Sequence, residues 1–293
     1  MRSPAALARR AVQKAALRIF PAFEFLGLHV VPNHFYYPIP PTRDLTDSVF
    51  SAVSECPGLD WNDAVQREHL RSVFPQYVKE RTFEPNEGLN VIDAAILHAM
   101  VRHYAPARIV EVGSGVSTTF MATAAKMNAA EGKPCELVAI DPYPRPVVSR
   151  GVEGLTRLRR ERVQDVELSQ FTDCDLLFVD SSHVVGTGSD VNYEQLEILP
   201  RVKPGCLVHF HDILLPGEYW RDWVIGQRYY WTEQYLLRAF LTFNTEFQIL
   251  WGSRYMQLKH ERELAATFSG YDPSYRITSL WIRRRQATAA VLP

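Results

Sequence analysis

From residue 91 onward the apolar positions follow two alternating rhythms. Val91, Ile92, Ala95, Ile96, Ala99 and Met100 recur at the three- and four-residue steps of a helical face. Arg108 to Val112 is then a short β-branched run that stops at Gly113, and helical spacing resumes from about Thr118 to Ala130. Leu137 to Ile140 predicts a strand ending at Asp141, and Leu176 to Val179 another ending at Asp180. A helix is predicted from about Asp190 to Leu199. The turn Pro204-Gly205 leads into a strand from Cys206 to Phe210, which ends at His211-Asp212. A helix near Glu233 to Phe243 and strands near Phe247 to Trp251 and Ser279 to Arg283 complete the series. Strands alternating with helices predict an α/β fold of parallel βαβ units.

Before residue 91 the rhythm is less regular. Residues 32–41 hold Pro32, His34, Phe35, Tyr36, Tyr37, Pro38, Pro40 and Pro41, the composition of an extended loop with docked side chains. Trp61 to Phe74 has mixed helical patterning. The expected organisation is therefore a basic segment with a helical and loop extension over residues 1–88, then a core over 89–293. That core carries an aromatic insertion at about 216–232, with Tyr219, Trp220, Trp223, Tyr229, Tyr230 and Trp231. The insertion follows the fifth strand, where aromatic rings either stack on a ring-containing acceptor or pack a lid or dimer contact.

Charge alters the picture mainly at the start of the chain. Arg2, Arg9, Arg10, Lys14 and Arg18 precede the first acid, Glu24, with Leu7, Leu17, Ile19 and Phe20 among them. Three readings stand: a basic amphipathic helix giving peripheral membrane contact through residues 1–20, a transit peptide, or a packed terminal helix. No run of 18 apolar residues occurs, so no membrane-spanning helix is expected. The net charge of -1 argues against a global grip on nucleic acid. None of the four cysteines is spaced as a zinc knuckle or redox pair; Cys174 and Cys206 read as small buried hydrophobes. A cytoplasmic location is expected, with membrane association and homo-oligomerisation left open.

Each core strand delivers polar residues at its carboxyl end, the edge where open α/β sheets bind ligands. Glu111-Val112-Gly113-Ser114-Gly115-Val116-Ser117 lies between a strand and a helix, where glycines allow a sharp turn and a close ligand approach. Asp141 ends the next strand, placed to accept hydrogen bonds from a ribose. Two details favour S-adenosylmethionine over a dinucleotide. Thr118 stands where the dinucleotide fingerprint needs its third glycine. Glu111 would repel a pyrophosphate but attract a sulfonium or ammonium.

On these residues the chain resembles class I S-adenosylmethionine-dependent methyltransferases. Glu111 to Gly115 is similar to their motif I, and Ile140-Asp141 to their acidic post-strand motif. Asp175 to His183 and Gly205 to Ile213 resemble the fourth- and fifth-strand motifs of a bacterial group called methyltransferase type 24, and the upstream Gly27 to Pro32 and Phe35 to Pro38 are also similar to segments of such proteins. The resemblance implies a Rossmann-like, seven-stranded, mostly parallel sheet with an antiparallel last strand. It implies that the donor lies over Glu111, Gly113, Gly115 and Asp141, with Asp165 near the adenine amine. Ser114, Ser117 and Thr118 would bond the donor's carboxylate at the helix N-terminus.

An alcohol acceptor must also lose a proton, and Asp180, His183, His211 and Asp212 are the groups available. Strands four and five are expected to be neighbours, so these four should converge. Either His183 or His211 serves as base beside Asp180, since imidazole titrates near neutrality, or Asp180 and Asp212 ligate a divalent ion such as magnesium. Metal-dependent O-methyltransferases usually carry Asp-Asn after the fifth strand; this chain has His211-Asp212. His209 is expected on the opposite side of its strand from His211, capping a loop. The expected function is O-methylation of a small molecule or saccharide. The alternatives are N- or C-methylation, a non-catalytic module that binds the donor, or a nicotinamide enzyme.

Overall fold

The computed structural model describes residues 4–80, 83 and 88–286. The chain forms two compact units: Met1–Ala52 with Trp220–Tyr230, and Val53–Tyr219 with Trp231–Pro293. The sequence put a boundary near residue 88, whereas the units part at residues 52 and 53. Residues 63–77 fold as short helical turns that belong to the larger unit. His69, Leu70, Val73 and Phe74 are buried there, and the Phe74 ring meets Trp251 edge-on at 4.8 Å.

The smaller unit begins with helix α1, Pro4–Phe25. Its partly covered positions Gln13, Ala16, Phe20 and Phe23 recur at helical steps. Phe20 stacks on His29 at 5.3 Å, which turns the following chain back along the helix. In the other segment of this unit, Trp220 and Trp223 pack edge-to-face at 4.6 Å, and Arg221 pairs with Asp47 at 3.1 Å.

The larger unit is built on one seven-stranded sheet. Its strands are β1 (Arg108–Val112), β2 (Glu136–Ile140), β3 (Arg157–Arg159), β4 (Leu176–Val179), β5 (Leu207–Phe210), β6 (Phe247–Gly252) and β7 (Leu280–Arg284). The order is β3-β2-β1-β4-β5-β7-β6. β7 is antiparallel to both of its neighbours, and every other pairing is parallel. The sheet therefore has the Rossmann-like form with an inverted last strand. β1, β4 and β5 are covered on both faces, which explains their nearly continuous apolar runs. Alternation sends Ile109, Phe178 and Trp281 into one core layer and Val110, Leu177, Val208 and Ile282 into the other.

Helix α2 (Val91–Tyr104) and helix α3 (Val116–Ala130) flank the sheet. Asn90 caps α2 by accepting from the Ile92 N–H at 2.9 Å. In the first turn of α2, the buried Asp93 ties the helix to the sheet edge. Its carboxylate accepts from Ser253 and Ser279 hydroxyls at 2.7 and 2.6 Å and from the Thr278 N–H at 2.8 Å. The helix expected over 190–199 is instead an α turn, a wider five-residue turn and a 3-10 turn ending at Arg201. Pro200 has no N–H to continue a regular helix there. Among the described residues, no helix is long and apolar enough to cross a membrane.

Candidate active site

The loop after β1 reverses direction at Gly113, whose φ is +79°. Its N–H donates to the Ile140 carbonyl at 3.0 Å, and the Asp180 N–H donates to the Val112 carbonyl at 2.9 Å. Three strand ends therefore meet at this glycine. Asp141 fixes the next residue, accepting from the Ser114 N–H at 2.9 Å and its hydroxyl at 2.7 Å. Its other oxygen accepts from the Tyr143 N–H at 2.7 Å. Gly115 opens α3 in an extended conformation, and a β-carbon there would meet only the Arg145 side chain, at 3.6 Å.

Glu111 has no solvent exposure. Its two oxygens accept from the Ser117 and Thr118 hydroxyls, each at 2.7 Å. Burial pushes its carboxyl up to about 8, and the charges of Asp180 and Asp141 act in the same direction. Those hydroxyls were expected to face a ligand carboxylate. They turn inward to Glu111, and the Ser114 hydroxyl turns to Asp141. Asp165 ends a 3-10 turn, and both of its oxygens accept from the Arg162 guanidinium, at 2.8 and 2.9 Å.

At the β4 and β5 ends, parallel pairing of Val179 with Phe210 sets Asp180 beside His211. Asp180 Oδ1 lies 3.4 Å from His183 Nε2 and 3.6 Å from His211 Nδ1. Asp212 closes the group: its Oδ2 is 3.6 Å from His183 Nε2, and its Oδ1 is 3.3 Å from His211 Nδ1. The Thr278 hydroxyl also donates to that Oδ1 at 3.1 Å. All four residues expected to converge do so.

Sequence reasoning missed what stands behind His183. Helix α4 (Glu233–Leu241) starts there, and Glu233, 1% exposed, holds His183 Nδ1 at 2.8 Å through Oε2. The Thr232 and Glu233 N–H groups donate to the His183 carbonyl at 2.8 and 3.1 Å, which steadies its positive φ of 61°. The Trp231 ring lies 4.4 Å from the His183 ring. Of the aromatic insertion, Tyr219 and Trp231 belong to this unit, and Trp220–Tyr230 to the other. No motif marks Glu233, because only tertiary folding brings it fifty residues back to His183.

Burial disfavours the charges of Asp180, His183 and His211, but neighbouring charges offset it. Burial would raise the Asp180 carboxyl; the nearby His211 and His183 imidazoles outweigh it and hold Asp180 below its ordinary range. Burial likewise opposes the His183 cation, yet Asp180 and Glu233 lift it well above the usual imidazole range. His211 is pushed up to about 9, against burial, chiefly by Asp212 and Asp180. Both imidazoles are thus shifted toward their protonated forms relative to an ordinary histidine.

His209 corrects another expectation. Side chains two residues apart share a strand face, and its ring lies 6.1 Å from that of His211. It caps no loop. It stacks on Phe178 at 4.1 Å and meets Trp281 at 4.8 Å, and burial drives its imidazole toward the neutral form.

One ligand atom from each of Asp180, His183 and Asp212 lies within 4.8 Å of the others. Two carboxylate oxygens and an imidazole nitrogen fit a divalent cation, and Glu233 on the far ring nitrogen is the usual backing of a metal-binding histidine.

A family model described as a methyltransferase domain matches residues 110–213, from β1 through the residues after β5. An uncharacterized protein of Archaeoglobus fulgidus is 30% identical over 159 residues, covering 48% of this chain and 71% of the relative. Among solved structures, the O-methyltransferase TomG from Streptomyces achromogenes in complex with SAM is 13% identical. That match covers 84% of this chain and 96% of TomG, with a TM-score of 0.44. An O-methyltransferase from Bacillus cereus in complex with SAH is 11% identical, covering 77% of this chain and 98% of its own, at a TM-score of 0.41. The domain match spans both the glycine loop and the Asp180–Asp212 cluster, and over these residues the chain carries a methyltransferase domain.

Proposed function

We propose that this methyltransferase methylates a hydroxyl oxygen of a small molecule or saccharide, with the acceptor held at Asp180, His183, His211 and Asp212. The observation that carries the reading is the convergence of these groups directly beside the glycine loop. The donor supplies an electrophilic methyl group on a sulfonium; the acceptor oxygen bonds to that carbon as the C–S bond breaks, and sulfur keeps the electron pair.

In this reading Glu111, buried behind the loop, answers the donor's ammonium by its charge, and Asp141 faces the ribose. Gly113, Ser114, Gly115 and Ser117 shape the loop, with backbone N–H groups at the start of α3 meeting its carboxylate. Asp165 remains assigned to the adenine side. Arg145, whose side chain lies over Gly115, adds a cation close to the loop. The acceptor's proton passes to the cluster, where His211 becomes an effective base as pH rises toward about 9.

The spacing of Asp180, His183 and Asp212 favours a second reading of the same site. A divalent ion such as magnesium held there would supply Lewis acidity that lowers the pKa of the acceptor hydroxyl.

The test is calorimetric titration with S-adenosylmethionine and S-adenosylhomocysteine, followed by mass spectrometry of phenols, aliphatic alcohols, amines and saccharides incubated with protein and donor. Binding of both ligands, weakened by Asp141→Ala, together with a methylated hydroxyl product supports the reading. Methylation confined to amines or carbon, or no donor binding by folded protein, refutes it. Loss of turnover on chelation, restored by magnesium, selects the second version.

A further inference from the structure

We infer that helix α1 and the loops after it form an anchoring surface for anionic lipid, laid along the membrane rather than through it. The inference is independent of the acceptor and of the chemistry at Asp180. It starts from how the helix distributes its side chains. The 22 residues of α1 extend for about 33 Å. Ala8, Val12, Ala15 and Ile19 follow one another at helical steps, and all are exposed. Val12 is 69% exposed and Ile19 48%. Arg10, Lys14 and Arg18 form a second exposed stripe at four-residue steps, to one side of the apolar one.

The covered line, Gln13, Ala16, Phe20 and Phe23, is a third face. The helix therefore uses one side for packing and still presents an apolar stripe beside a basic one. Beyond its end Phe25, Phe35 and Tyr36 are 89%, 79% and 83% exposed, and Leu26 and Leu28 are exposed as well. Large side chains left open together mark an interaction surface.

Charge selects the occupant. Between residues 7 and 23 the helix carries four cations and no acid. A second copy of the chain would set like charges against one another, whereas an anionic leaflet meets the whole stripe with opposite charge. Long basic side chains lie along apolar surface and keep their charge at the headgroups, so the two stripes engage one boundary together. Because α1 is too polar to span a bilayer, the helix lies in the interface plane.

The test uses the full chain and sedimented vesicles of phosphatidylcholine, with and without about 30% phosphatidylserine. Expected is binding to the phosphatidylserine vesicles alone, released when salt is raised to about 0.5 M. Replacing Arg10, Lys14 and Arg18 together by Gln should lower partitioning on the order of a hundredfold, at about fivefold per cation. Val12→Ser with Ile19→Ser should lower it about tenfold or more at unchanged charge. Both variants should keep the circular dichroism spectrum and donor affinity of the parent. Three results overturn the inference: equal binding to both vesicle types, indifference to the Val12/Ile19 pair, or a dimer in sedimentation equilibrium that this pair dissociates while vesicles go unbound.

Discussion

A β-carbon built on Gly113 would stand 1.8 Å from the carbonyl oxygen of Asp180. The donor loop and the strand end that opens the acceptor cluster are thus packed backbone on backbone, and the left-handed φ at Gly113 adds to the requirement for glycine. Gly113→Ala should lower stability by about 2 kcal/mol or more in urea unfolding and abolish donor binding. Gly115→Ala, which meets only the Arg145 side chain, should fold like the parent. Equal stability of the two variants would mean the close approach is not what holds the strands together.

The Glu111 carboxyl, pushed up to about 8 by burial, makes stability depend on pH in an unusual direction for an acid. Below its ordinary range, near 4.5, the group is protonated in folded and unfolded chains alike. Between there and about 8 the folded chain holds a proton that the unfolded chain has released. Unfolding free energy should therefore fall as pH rises through that window, by about 1.4 kcal/mol per pH unit from this group. Glu111→Gln should flatten the slope. A bound ammonium would pull the carboxyl back toward its charged form, so donor binding at pH 7 should release a proton, seen as buffer-dependent heat in calorimetry. Heat independent of the buffer would remove Glu111 from the donor site.

His211 has its imidazole raised to about 9, above the unfolded range, and so carries its proton at neutrality. Acting as base, it should make turnover climb about tenfold per pH unit and level off near 9. Asp212→Asn removes the largest of the charges that raise it, and the plateau should move to lower pH. A flat profile that collapses on chelation would instead assign proton loss to a metal-bound acceptor.

Glu233 holds the far nitrogen of His183, and its loss should be felt in turnover rather than in donor affinity. Glu233→Gln keeps a hydrogen-bond acceptor but not the charge. It should lower kcat by about tenfold to a hundredfold while the S-adenosylhomocysteine affinity stays at the parent value. The His183 imidazole resonances should titrate at lower pH than in the parent. Equal losses in donor affinity and kcat would show that Glu233 only supports the fold.

Strands β1, β2, β4 and β5 were legible because burial on both faces demands apolar runs, and each run stops at a polar residue or glycine that the ligand edge requires. β3 is three residues long with one apolar side chain between two arginines, so it leaves no rhythm to detect. The convergence of Asp180, His183, His211 and Asp212 followed from neighbouring strands. The bonding of the Ser117 and Thr118 hydroxyls to Glu111 was not legible for a different reason. They start a helix, the usual place for an anion, but a buried acid six and seven residues earlier takes both. Glu233 lay beyond sequence reasoning, since a glutamate at a helix start is ordinary until the fold sets a histidine against it.

Asp93 and Asp212 hang on the same residue, one from the Thr278 N–H and the other from its hydroxyl. The acid that begins α2 and the acid at the reacting face are thus two ends of one short lever with Thr278 as its fulcrum. With Asp212 holding the acceptor as proposed, a shift of α2 reaches that carboxylate through Thr278, and substitutions along α2 should change the reaction rate before the folded state is lost.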